Sequence, residues 1–124
     1  MDDKGLDWCG SSKKDLMSMP GDVQQTFGFA LGLAQNGKRY ENAKTLSGFK
    51  PTTVEVLEDD DGDTYRAIYT AHFDEVVYVL HCFKKKSTKG RNLPRPDKET
   101  IEARLTEVRK IEAAKKAKAK RKPS

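Results

Sequence analysis

The sequence predicts an α+β domain with helices packed against one face of an antiparallel sheet. Three observations carry this expectation. Residues 20–36 repeat apolar side chains at helical spacing, residues 52–83 switch to a period of two, and residues 97–111 return to helical spacing. At 124 residues the chain has room for one domain.

The elements follow in order. LDWCG (6–10) reads as a short first strand anchored by Trp8. Ser12 stands three residues before Asp15, a weak capping pattern that suits a short helix through Leu16. Pro20 and Asp22 open a second helix, in which Val23, Phe27, Ala30, Leu31 and Ala34 form one apolar stripe. Gly28 and Gly32 weaken it or permit close packing, and Asn36-Gly37 ends it. Residues 38–52 read as a connection. TTVEVLE (52–58), TYRAIYT (64–70) and EVVYVLHCF (75–83) then read as an antiparallel meander with turns at DDDGD and AHFD. Asp97 caps a last helix carrying Ile101, Leu105, Val108 and Ile111 on one side. The order is β-α-α-β-β-β-α. The expected boundary falls at 108, with residues 109–124 a solvated, fraying Lys/Ala extension.

Charge is distributed unevenly. The net charge is +5, yet residues 109–124 hold eight Lys or Arg against one Glu, which leaves residues 1–108 at −2. Residues 84–95 hold six positive side chains and no negative ones; residues 55–63 hold six acids and no base. Such a local basic patch concentrates a polyanion at one place on a neutral or acidic body.

Several classes are excluded. No stretch approaches the roughly 18 to 20 apolar residues of a membrane span, and MDDKGLDW lacks the apolar segment of a signal peptide. Cys9 and Cys82 suit buried thiols in a reducing cytoplasm rather than a disulfide scaffold. No HxxxH or CxxC spacing supports a metal site, and no GxxxxGK, strand-coupled GxGxxG or GxSxG supports a nucleotide or hydrolase site. The EDDDGD run lacks the closing glutamate of a calcium loop and is explained by a hairpin turn.

What remains is Arg66 on a strand, His81 on the next, and Lys84, Lys85 and Lys86 at its end. A four-residue turn at 71–74 sets Thr70 opposite Glu75 and Arg66 opposite Val79, with His81, Phe83 and Lys85 on the same face as Arg66. A turn of odd length moves Arg66 to the Leu80, Cys82 and Lys84 face instead. Tyr65 and Tyr69 point to the face opposite Arg66 and pack against helices. An arginine beside a basic strand end suits a phosphodiester, since guanidinium binds phosphate oxygens bidentately. The bland alternative is that Arg66 pairs with a glutamate and the lysines are solvated.

WCGSSKKDLMSMP, ALGLAQNGK, AKTLSGFKPTTVEVLEDDDGDTYRAIYTAHFDEVVYVLHCFKKKSTKG and the late EARL together resemble the phage-derived, HigB-like branch of the RelE/ParE toxin superfamily. The resemblance covers about residues 6–108, in order. It implies a RelE/ParE-like α+β fold and the toxin of a type II toxin–antitoxin pair, cutting mRNA on the ribosome without a metal or other cofactor. It implies a cognate antitoxin, often of helix-turn-helix type, as partner. In that reading Arg66 and Lys85 stabilise the phosphorane, His81 serves as acid or base, and Lys84, Lys86, Lys89 and Arg91 hold the RNA backbone. Arg66→Ala is then expected to abolish toxicity in a chain that still folds. ParE-like inhibition of DNA gyrase by protein contact, or a phage-derived nucleic-acid-binding module without catalysis, are the alternatives.

Overall fold

The structure, a computed structural model, describes residues 3–85 and 93–121. Among the described residues eight elements follow one another: β1 (Gly5–Trp8), α1 (Ser12–Met17), α2 (Gly21–Gln35), β2 (Lys44–Leu46), β3 (Thr53–Asp60), β4 (Asp63–Thr70), β5 (Val76–Lys85) and α3 (Arg95–Arg121). They build one five-stranded sheet in the order β1-β5-β4-β3-β2.

The α+β class is as expected, with two differences in how it is assembled. β1 pairs with β5 in parallel, through Gly5 N to Glu75 O at 2.7 Å and Cys9 N to Val79 O at 2.9 Å, so the sheet is mixed. The helices cover both faces rather than one. Leu16, Val23, Phe27, Ala30, Leu31 and Ala34 of α1 and α2 bury against Val54, Val56, Ala67, Tyr69, Val77, Val79 and Cys82. On the other face Ile101, Leu105 and Val108 of α3 bury against Ile68, Tyr78 and Leu80. The strands read as near-continuous apolar runs because both faces are covered.

The β3–β4 hairpin closes more tightly than DDDGD suggested. Asp60 pairs with Asp63, so only Asp61 and Gly62 form the turn, with φ of 49° and 84°. Positive φ at both positions is what a two-residue hairpin turn of this hand requires, and Asp-Gly meets it cheaply. β2 lies within the segment expected to be a connection. Its three residues are too few for a period to show, and it is held by pairing with Thr53–Glu55. Among the described residues nothing beyond the helix's own backbone lies within 4 Å of where a Cβ on Gly28 or Gly32 would stand, so close packing is not their role there.

α3 departs most from expectation. It starts at Arg95, so Asp97 lies in its first turn rather than at the cap. It also runs without a break past 108 to Arg121. Ile111 is 44% exposed, so the apolar stripe ends at Val108. One polar clasp lies beyond it: the Tyr78 hydroxyl donates to Glu112, and Lys115 Nζ reaches the Tyr78 oxygen at 3.1 Å and Glu112 Oε2 at 3.1 Å. Deleting residues 113–124 removes only the lysine arm of that clasp. The expected cost is below about 1 kcal/mol, a shift of a few degrees in Tm by calorimetry.

Candidate functional site

β4 and β5 position the residues singled out above. Thr70 pairs with Tyr78 and Tyr69 with Val79; then β5 bulges, and Ile68 pairs with His81, Ala67 with Cys82 and Arg66 with Phe83. The four-residue-turn register with Arg66 opposite Val79 is therefore wrong. Seven residues separate the partners Thr70 and Tyr78, an odd count that alone would have turned Arg66 to the other face. The bulge inserts one more residue and restores the parity. Arg66 thus shares the α3-covered face with His81, Phe83 and Lys85, while Tyr69 is buried and Tyr65 half-buried against α1 and α2.

Arg66 lies inside, 1% exposed. Its Nε stands 3.2 Å from Glu55 Oε2, and its Cζ lies 5.8 Å from the centre of the Phe83 ring. The glutamate pairing envisaged as the bland alternative is present. Glu55 is itself buried, and burial pushes its carboxyl above the ordinary glutamate range, with the charges of Arg66, then Lys85 and Lys44, pulling the other way.

Glu55 consequently makes stability depend on pH. Its folded value lies above its unfolded one, so within that window the folded chain holds the extra proton and stability falls as pH rises. Glu55→Gln is expected to remove this fall, read as denaturation midpoints compared between about pH 4 and pH 8.

His81 continues the stack. Its ring lies on Phe83 with centroids 4.5 Å apart and planes 21° from parallel. Its Nε2 is 2.7 Å from Asp97 Oδ1, and its Nδ1 is 3.4 Å from Arg104 Nη1. A guanidinium can only donate, so Nδ1 accepts and the ring proton sits on Nε2, donated to Asp97. The same Arg104 Nη1 donates to Leu80 O at 2.7 Å, and Nη2 reaches Ser11 Oγ at 3.4 Å. Gly10, at φ 51°, admits this guanidinium, because a Cβ there would lie 2.6 Å from Arg104 Nη2. Arg104 therefore ties α3 to the middle of β5 and to the start of α1.

The lysines divide between the faces. Lys84 is exposed and on the α1 side, 3.0 Å from Asp63 Oδ2; that hydrogen bond raises its ammonium above the ordinary range. With Asp15, Tyr65 and Cys82 it lines an open pocket of about 420 Å³. Lys85 is half-buried on the Arg66 side and adds positive charge near Glu55. Lys86, Lys89 and Arg91 lie outside the described residues. Among the described residues no cluster of His, Cys, Asp and Glu is arranged to hold a metal ion, and no helix is long and apolar enough to cross a membrane.

Three residues at this site escaped the sequence reading. Glu55 could have been found as the one acid between Val54 and Val56, which places it on the face that α1 and α2 do not cover. The sequence pattern marks Asp97 only as a cap and Arg104 only as part of EARL, because their partners on β5 are distant in sequence. Cys82 is the bland thiol expected. Burial, and secondarily Asp15, pushes it up to about 12, with Arg104 opposing. A disulfide reagent at neutral pH is expected to leave Cys82 unmodified until denaturant is added.

The fold and this face define a small α+β module with a basic strand end, compatible with the RelE-like architecture. Residues 14–106 match the family of Gp49-like phage-derived proteins, and the chain belongs to that family, which is of the RelE/HigB toxin type. No curated protein and no solved structure matches it.

Proposed function

We propose that this chain is the toxin of a toxin–antitoxin pair and cuts mRNA on the ribosome. The observation that carries the reading is the family match across residues 14–106, most of the folded body. The site is chemically compatible. Metal-free RNA cleavage needs a group to take the 2′-hydroxyl proton, positive charge at the phosphorane and a proton for the leaving oxygen. Glu55, with its raised carboxyl, joins His81 as an acid–base candidate, and Arg66 and Lys85 supply charge on the same face.

The division of labour differs from that read in the sequence. Arg66 is covered, so a phosphate reaches its guanidinium only if the packing around it opens. His81 has both ring nitrogens engaged and transfers a proton only after parting from Asp97 or Arg104. Among the described residues of the strand end, Lys84 is exposed and Lys85 half-buried. A cognate antitoxin is the proposed partner, and the basic strand end gives an acidic antitoxin segment an electrostatic reason to cover it.

The burial of Arg66 favours a second reading, a non-enzymatic inhibitor that works by protein contact, as in ParE-like inhibition of gyrase. Pulse-labelling after induced expression separates the two. Arrest of protein synthesis before DNA synthesis supports mRNA cleavage. The opposite order supports gyrase, and unaffected growth rejects both.

A further inference from the structure

α3 outlasts its own hydrophobic contact. Val108 is its last buried residue, and beyond the clasp at Tyr78 the helix continues to Arg121. Residues 109–121 hold seven Lys or Arg and one Glu, span about 20 Å at the helical rise, and lie beyond the family match. The packing of the fold does not explain them.

Their arrangement does suggest an occupant. The segment is polar on every side, with alanines at 113, 114, 117 and 119 keeping it helical and only the exposed Ile111 as a large apolar side chain. A helix resting on a membrane surface needs a wide apolar face, and a coiled-coil partner needs an apolar seam; neither is present. At about 100° per residue, Lys118 stands about 200° around the axis from Lys116, and Lys120 about 200° further. Cations therefore project from opposite sides of one rod, and Lys116 and Lys120, one turn apart, repel each other.

A rod charged on opposite sides gains most where anions line both of its flanks. The major groove of B-form DNA is about 12 Å wide and admits a helix about 10–12 Å across, with phosphates along both rims. The major groove of duplex RNA is too deep and narrow to do so. We propose that the end of α3 is a cationic arm that lies in the major groove of double-stranded DNA. Lysine ammonium groups without an Asn, Gln or bidentate-reading partner hold phosphates and carry little base information, so the binding is not sequence-specific. This goes beyond the proposed action on mRNA and stands or falls separately from it.

The test uses the full chain and no activity readout. A fluorescently labelled 20-base-pair DNA duplex, the RNA duplex of the same sequence, and phosphatidylserine vesicles are titrated from about 50 to 200 mM salt. The comparison is with K116Q/K118Q/K120Q, which leaves Glu112 and Lys115 at Tyr78, and with deletion of 113–124. The wild type is expected to prefer the DNA duplex. The triple change should weaken DNA binding at least tenfold and reduce the slope of log K against log salt by about 2 to 3, and the deletion, which removes six Lys or Arg, should weaken binding and flatten the slope at least as much. Unchanged DNA affinity in both variants overturns the proposal. So does lysine-dependent binding of the RNA duplex or the vesicles as tight as that of DNA.

Discussion

Arg66→Ala is expected to lower the stability of the folded chain by about 3–5 kcal/mol, because it strands the Glu55 carboxylate in the interior without its cation. Urea denaturation reads this as a lower midpoint at unchanged slope. Glu55→Leu combined with Arg66→Met should recover most of the loss, since apolar side chains of similar volume need no ion pair. A wild-type midpoint for Arg66→Ala would mean that the pair supports nothing. The consequence for function is practical. Arg66→Ala cannot separate catalysis from folding, contrary to what the sequence suggested. Arg66→Lys keeps a cation for Glu55 and removes the bidentate fork, so it is the variant in which growth arrest should fail while the protein folds.

Leu105→Ala should cost about 2–5 kcal/mol. Leu105 is fully buried against the sheet, beside Ile68, Tyr78 and Leu80, and lies one residue from Arg104. The variant tests whether α3 is part of the fold or an appended cover. If α3 is integral, unfolding remains one cooperative transition at a lower midpoint. A helix that melts first, leaving the rest of the sheet at its original midpoint, would show that Asp97 and Arg104 hold His81 only loosely.

Where a feature is local in sequence, it was legible. The stripe from Val23 to Ala34 is the buried face of α2, and Asp61-Gly62 closes the hairpin inside the segment read as a turn. Tyr69 faces the helices as the period of two requires. Features made by distant partners were not legible. Nothing near LDW says that this strand runs parallel to β5. Nothing near Asp97 says that its carboxylate meets His81 sixteen residues earlier. Arg66 reached the expected face through two departures, a longer connection and a bulge, which shift the register but whose effects on its parity cancel. The end of α3 failed for a different reason. Missing apolar residues argue against packing, but Ala and Lys favour helix regardless, so a solvated segment need not lose its helical structure.

The central claim, that the chain cleaves mRNA in the act of translation, is tested most directly by primer extension on a defined message in a reconstituted translation reaction supplied with the purified protein. New 5′ ends within the reading frame are the expected result, appearing only when ribosomes are translating, persisting with Mg²⁺ levels held constant, and absent with Arg66→Lys. An intact message under active translation, or equal cutting of the same RNA without ribosomes, would contradict it.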